Sequence, residues 1–313
     1  MKKSILALTS LYPVPMDALS TDYNVIKIAP EQSIMDVIKD NASEIAAIIA
    51  LPGKLVTSEM MDACPNLEII SNFAVGTDNI DLKAAAERNI IVTNTPEVLT
   101  ADTADIALSL LLAISRRVSE GDRFVRAGQW GKAPFPLSSS LAGKTCGIVG
   151  LGRIGQAIAK RASAFDMNIV YYGRSEKENL PYVFYSDLNK MAQESDYLVL
   201  SCAGGPKTQH LVNRQVMEHL GESGFVINVS RGTVVEEDAL LDLLKHKKLA
   251  GAGLDVYENE PSINQDFFAL DNVVLMPHVG SATIETRTVM AELVINNVKA
   301  CLQGNKVLTP VAI

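Results

Sequence analysis

The stretch Thr145-Cys146-Gly147-Ile148-Val149-Gly150-Leu151-Gly152-Arg153-Ile154-Gly155 decides the fold. Its first five residues are a short apolar run of strand type. After Gly152 the apolar residues Ile154, Ala157, Ile158, Ala162 and Phe165 fall at helical spacing. Between strand and helix lies G-x-G-x-x-G, at Gly150, Gly152 and Gly155. One glycine permits a tight turn, one lets the backbone approach a pyrophosphate, and one lets helix and strand pack closely. The helix start then offers unpaired N–H groups and a partial positive charge to an anion. Strand, turn and helix in this order predict a dinucleotide site at Gly150, Gly152, Arg153, Ile154 and Gly155.

Outward from this turn, short apolar runs alternate with helical patterns, which predicts βαβ units and parallel sheets. Downstream, strands are expected at Thr145–Val149, Asn168–Tyr172, Tyr197–Ser201, Phe225–Val229, Ala252–Val256 and Val273–Met276. Six such strands match the two halves of a dinucleotide-binding fold. Upstream, Ile5–Leu8, Val25–Ile28, Ala47–Ile49, Ile69–Ser71 and Ile91–Thr93 would build a smaller α/β domain. One long helix is expected from Ala101 to Ala127, then a loop from Trp130 to Leu141, and a last helix from Glu285 to Leu302.

With 313 residues, 48% of them apolar, the chain has material for two cores. Its formal net charge of −8 argues against a nucleic-acid or anionic-lipid footprint. The apolar start Ile5-Leu6-Ala7-Leu8 is too short for a signal peptide and is cut by Tyr12, Pro13, Pro15 and Asp17, so it reads as a buried strand. No stretch approaches the roughly 18 apolar residues of a membrane helix. The cysteines Cys64, Cys146, Cys202 and Cys301 are scattered without metal-ligand spacing. They read as buried free thiols of a reducing, cytoplasmic compartment, and no metal site is expected.

The second strand of the larger domain ends Tyr171-Tyr172-Gly173-Arg174-Ser175. NAD enzymes usually carry an acidic residue near this end, bonded to the ribose 2′-hydroxyl. Such a carboxylate would repel the 2′-phosphate of NADP, whereas Arg174 and Ser175 can bind it. NADP(H) is therefore expected over NAD(H), with Glu176 the one nearby charge that works against it.

Proton transfer near neutral pH is best done by histidine. His210, His219 and His246 lie in polar, surface-like contexts. His278 instead follows the sixth strand, between Pro277 and Val279-Gly280-Ser281, and ligands of open α/β sheets bind beyond such carboxyl ends. Phe225–Val229 leads into Ser230-Arg231-Gly232, where an arginine can grip a carboxylate bidentately. Ala252–Val256 holds Asp255 and leads into Tyr257-Glu258-Asn259-Glu260-Pro261. A carboxylate beside a histidine favours the protonated ring, which suits a general acid. Spacing alone leaves both Glu258 and Glu260 open as that partner.

These motifs together resemble the D-isomer-specific 2-hydroxyacid dehydrogenases, over nearly the whole chain. The signatures are Gly150–Gly155, Ile227-Asn228-Val229-Ser230-Arg231-Gly232, Gly253-Leu254-Asp255 through Glu260-Pro261, and Pro277-His278-Val279-Gly280-Ser281-Ala282-Thr283. Ser71-Asn72-Phe73-Ala74-Val75-Gly76-Thr77-Asp78 and Tyr171–Ser175 look like the NADPH-dependent glyoxylate/hydroxypyruvate reductases and plant hydroxyphenylpyruvate reductases.

The resemblance implies an α/β fold of two Rossmann-like domains. A doubly wound dinucleotide-binding domain (99–285) would be inserted in a flavodoxin-like substrate domain (1–98 and 286–313), with hinges near Pro96–Thr100 and Ala282–Arg287 and the substrate in the cleft. It implies His278 as proton donor to a keto oxygen, Glu260 as its partner, and Arg231 as the grip on the keto acid. Val75 and Gly76 would hold the other side of the carboxylate, and Asp255 and Thr103 would contact the cofactor. The expected reaction is reduction of a small 2-keto acid to a D-2-hydroxy acid, by a homodimer paired through the long helix and the loop containing Trp130.

A cofactor-sensing corepressor and a short phosphoglycerate dehydrogenase are the competing readings. The chain's end at Ile313, soon after the last helix, favours an enzyme. One departure stands out. Where many relatives carry a Pro-Leu-Thr-Pro-like segment, this chain has Cys202-Ala203-Gly204-Gly205-Pro206-Lys207-Thr208.

Overall fold

Strands buried on both faces read as unbroken apolar runs, and they pair in parallel when helices cover both sides. Ile45–Ala50 is buried at all six positions, and Tyr197–Leu200 and Phe225–Asn228 at all four of theirs. The computed structural model describes residues 2–9, 16–29 and 31–312. Tyr12, Pro13, Pro15 and Ile313 lie outside the described residues. The chain divides into two compact units, Met1–Leu99 with Ser281–Ile313, and Thr100–Gly280.

The first unit holds β1 (Ser4–Ala7), β2 (Asn24–Lys27), β3 (Ile45–Ala50), β4 (Ile69–Asn72) and β5 (Ile91–Thr93). Their order is β2-β1-β3-β4-β5, every pair parallel, which is the flavodoxin-like order. Leu6, Ile48, Ile70 and Val92 form the centre of its core with Ile38, Met60 and Ala84 from the covering helices. The last helix, Ile284–Leu302, buries Met290, Val294 and Val298 in this unit. Its Asn297 is fully buried and acts as a clasp. The Nδ2 atom donates to Leu293 O and Thr309 Oγ1, both at 2.9 Å, and Oδ1 accepts from Leu308 N at 2.8 Å and Thr309 N at 3.2 Å. The tail so held continues along β5, where Val311 N donates to Val92 O.

The second unit holds β6 (Thr145–Val149), β7 (Asn168–Tyr172), β8 (Val183–Tyr185), β9 (Tyr197–Leu200), β10 (Phe225–Asn228), β11 (Gly251–Leu254) and β12 (Val273–Leu275). The order β12-β11-β10-β9-β6-β7-β8 is parallel throughout and is the doubly wound arrangement extended by one strand. The order reverses between β6 and β9, so the crevice at their carboxyl ends is the expected ligand site.

Three local expectations are corrected. The long helix is two helices, Thr100–Ser115 and Val118–Arg126, because Arg117 takes a left-handed conformation (φ 54°) and Ser115 O is taken by Ser139 N. The strand β8 was not expected: it is a three-residue edge strand whose Val183 is exposed, too short to carry a periodic signal. Phe165 lies beyond the helix Arg153–Ser163 and is exposed rather than packed.

The clasp makes a stability prediction. Asn297→Ala strands the Leu308 and Thr309 N–H groups and should cost about 2–3 kcal/mol. Urea unfolding of the variant against the parent measures this, and an unchanged midpoint would show that the tail contributes nothing.

Candidate active site

The glycine turn after β6 is built by close approach. Gly150 has φ +96°, and a Cβ there would lie 2.6 Å from Cys202 Cα. A Cβ on Gly155 would collide with Gly150 O, so the third glycine is what lets the helix start under the turn. Ser201 Oγ donates to Gly150 O (2.9 Å) and ties β9 to the turn across the switch point, a contact the motif does not announce. A Cβ on Gly152 would meet nothing within 4 Å: this is the open side of the turn. The following helix has Gly152 at its N-cap and no acidic residue in its first turn. A diphosphate fits this end of the unit, because open backbone and uncancelled helix polarity face the same space. At the end of β7, Arg174 and Ser175 are exposed.

The histidine–carboxylate pair is assembled from two neighbouring strand ends. His278 Nδ1 lies 2.6 Å from Glu260 Oε2, and Glu260 Oε1 accepts from Tyr257 N at 2.9 Å. Geometry therefore selects Glu260. Glu258 instead faces His210 Nε2 at 3.1 Å, so His210 is half-buried and partnered, not the plain surface residue its context suggested. With Nδ1 turned to the carboxylate, Nε2 is the atom of His278 left to hand a proton to a ligand. Burial pushes the Glu260 carboxyl up, but the hydrogen bond and charge of His278, the Tyr257 N–H and the charge of Arg231 outweigh it and hold it below the ordinary glutamate range.

His278 has φ 54°, a left-handed conformation that costs a non-glycine residue about 1–3 kcal/mol. Asp255 offsets that cost. It is buried, and its two oxygens accept from Val279 N and Gly280 N, both at 2.8 Å. Bonds to a charged group are each worth about 1.5–3 kcal/mol. Burial raises the Asp255 carboxyl, and the same two N–H groups pull it back. Thr103 Oγ1 donates to Gly280 O at 3.2 Å from the other side. The two residues expected at the cofactor pin the histidine loop, a task the sequence did not reveal.

Arg231 leaves the end of β10 with its backbone locked. Asn228 Nδ2 donates to Arg231 O (2.9 Å), Asn228 Oδ1 accepts from Ser230 N (3.0 Å), and a Cβ on Gly232 would overlap the Tyr257 backbone. In the first unit, Ala74 O accepts from Thr95 N (2.9 Å) and Val75 O accepts from Asn94 Nδ2 (2.8 Å). In planar trans peptides this turns the N–H groups of Val75 and Gly76 to the opposite side.

Among the described residues no cluster of histidine, cysteine and acids could hold a metal ion, and no helix is long and apolar enough to cross a membrane. All four cysteines are free, three buried and Cys202 half-buried. Burial pushes Cys64 up to about 11 and Cys146 up to about 12, so both stay protonated thiols. A cavity of about 160 Å³ bordered by Ser115, Arg117, Glu120, Phe225 and Asn272 lies at the amino-terminal edge of the second sheet and contains none of these site residues.

A doubly wound sheet with an acid–histidine pair and an arginine at its carboxyl edge defines a dinucleotide-dependent oxidoreductase. The chain belongs to the D-isomer specific 2-hydroxyacid dehydrogenase family, whose NAD binding domain model matches residues 108–280. It is 47% identical to hydroxyphenylpyruvate reductase of Plectranthus scutellarioides, over 88% of each chain. It is 45% identical to glyoxylate/hydroxypyruvate reductase A of Arabidopsis thaliana, over 94% of each. The NADPH-dependent glyoxylate/hydroxypyruvate reductase of Sinorhizobium meliloti, solved with NADP and malonate, superposes with a TM-score of 0.94 at 39% identity, covering 100% of this chain and 97% of that one.

The Glu260 shift has a testable sign. A carboxyl held below its unfolded value contributes stability that is complete above that unfolded value and is lost as pH falls through the lowered one. Thermal midpoints of the parent and Glu260→Gln should therefore differ most at neutral pH and converge below the ordinary glutamate range, about pH 4. A constant offset down to about pH 3 would contradict the shift.

Proposed function

We propose that the protein reduces small 2-keto acids, such as glyoxylate or hydroxypyruvate, to D-2-hydroxy acids, using NADPH in preference to NADH. The observation that carries this reading is the convergence of Arg231 and the Glu260–His278 pair on the sheet edge that also bears the Gly150 turn.

The second unit is the dinucleotide-binding domain and the first the substrate domain, close to the division 99–285 against 1–98 and 286–313. Gly150, Gly152, Arg153, Ile154 and Gly155 hold the diphosphate, and Thr103 and Asp255 stand at the nicotinamide end. Arg231 binds the carboxylate and carbonyl of the keto acid and steadies the negative charge that develops on the oxygen. The Val75 and Gly76 N–H groups take the other side of the carboxylate. When bound, the reduced nicotinamide supplies the hydride that the keto carbon accepts. His278 delivers a proton from Nε2 to the keto oxygen. Glu260 holds the ring by Nδ1 and so aims Nε2 at the ligand, while Asp255 holds the loop that carries it.

The cofactor preference is supported by charge. The end of β7 offers Gly173, Arg174 and Ser175 and no carboxylate in the position of the usual ribose acid. A homodimer is supported by the segment after Arg117, where Val118, Val125, Trp130 (80%) and Leu137 (96%) are exposed apolar side chains and the helix Val118–Arg126 buries no residue within its own chain. A cytoplasmic setting is supported by four unpaired cysteines.

A panel of 2-keto acids assayed with NADPH and NADH tests the activity, and turnover of none of them would refute it. His278→Gln should lower turnover by about 10²- to 10⁴-fold with cofactor binding retained. Near-normal turnover would remove His278 as the donor. Arg174→Ala should lower kcat/KM for NADPH about 10- to 100-fold, the worth of a charge-assisted bond, and leave NADH nearly unchanged. An equal loss with both cofactors would mean that Arg174 does not read the 2′-phosphate.

A further inference from the structure

The segment Cys202–Thr208 follows β9 and carries two adjacent glycines, and its geometry gives the first of them a purpose. A Cβ built on Gly204 would lie 2.6 Å from Arg231 Cγ, 3.3 Å from Arg231 Cβ and 3.7 Å from Arg231 Cδ. The aliphatic stem of the arginine therefore runs directly over the bare Cα of Gly204, in space that any other residue would fill. The near atoms belong to the root of the side chain, not to its mobile end. They cannot yield by a small swing, because the Arg231 backbone is fixed by Asn228 and by the packing of Gly232 on Tyr257. The loop is fixed as well. Ser230 Oγ donates to Cys202 O at 2.5 Å, Thr208 Oγ1 donates to Ala203 O at 2.8 Å, and Cys202 lies against Gly150. With both backbones held, a side chain at 204 forces Arg231 to turn at its first torsion, and that moves the guanidinium at the far end of the stem.

We propose that Gly204 is a positioning residue for Arg231: the missing side chain at 204 sets the path of the arginine stem and so the place where the guanidinium meets the keto acid. The same short segment rests at one end on the phosphate turn and at the other on the substrate arginine, so one loop registers the two halves of the reaction against each other. This rests on the reading of Arg231 as the substrate arginine.

The test is a double-mutant cycle of Gly204→Ala and Arg231→Ala, read as kcat and KM for glyoxylate and as NADPH dissociation constant by nucleotide fluorescence. Gly204→Ala should raise KM for glyoxylate at least tenfold and shift NADPH binding less than twofold. In the Arg231→Ala background the same substitution should change the residual kcat/KM less than twofold, because the stem it would displace is gone. Kinetics of Gly204→Ala within twofold of the parent would overturn the proposal. So would a parallel weakening of NADPH, or an equal loss in both backgrounds. If Gly204→Ala alone does not fold, the double variant should fold and bind NADPH, since removing the stem removes the collision, and a double variant that also fails to fold rejects the idea. A silent Arg231→Ala would instead remove the reading of Arg231 itself, which separates the two failures.

Discussion

The site depends on one buried carboxylate. Asp255 accepts from the N–H groups of Val279 and Gly280 at once, and this holds His278 in a left-handed conformation. The imidazole reaches Glu260 from a residue that would otherwise relax to an ordinary backbone angle. Two charge-assisted bonds outweigh the cost of one strained residue, so the loop is held by the protein's own groups. Glu260 is oriented from its other oxygen by Tyr257 N, which stands two residues beyond Asp255 in the same chain segment. Histidine, carboxylate and the carboxylate that supports them are thus one connected network at the carboxyl ends of β11 and β12.

A second constraint acts on the arginine side. Gly150, Gly155, Gly204 and Gly232 each sit where a Cβ would collide with the backbone or with the root of another side chain. None of these collisions involves distant elements. They join Gly150 to Cys202, Gly204 to Arg231 and Gly232 to Tyr257, so glycine is what lets successive strand ends crowd together at the edge. The result is a surface of tightly stacked turns in which small changes of side-chain volume translate into displacement of charged groups.

Much of this was legible in the sequence because its signals are local. Strand runs such as Ile45–Ala50 and the turn after Val149 carry their own periodicity, and the strands fall within a residue or two of their expected bounds. The single histidine after a strand, His278, could be picked out by position. The break at Arg117 was not legible, because the apolar pattern continues across it and the interruption is a backbone angle held by Ser139. The three-residue strand β8 has no period to read. The choice between Glu258 and Glu260 depends on which carboxylate the turn aims at His278, and that is decided by tertiary contacts. The bracing role of Asp255 and Thr103 was hidden for the same reason: a carboxylate that accepts from backbone N–H groups 24 and 25 residues away leaves no trace in spacing.

The clasp at Asn297 bears on how the chain is made. The first sheet is assembled from residues at the two ends of the sequence, with the helix Ile284–Leu302 packed in its core and the tail lying along β5. The unit Thr100–Gly280 is continuous, so all of its residues have been synthesised before the helix of the first unit that follows it. The amino-terminal strands emerge earlier still, but the helix Ile284–Leu302 that packs on them follows the whole of the second unit in the chain. Domains fold as units during synthesis, and waiting apolar surface is what chaperones recognise. In this order of events the nucleotide half stands complete while its companion is still unsealed.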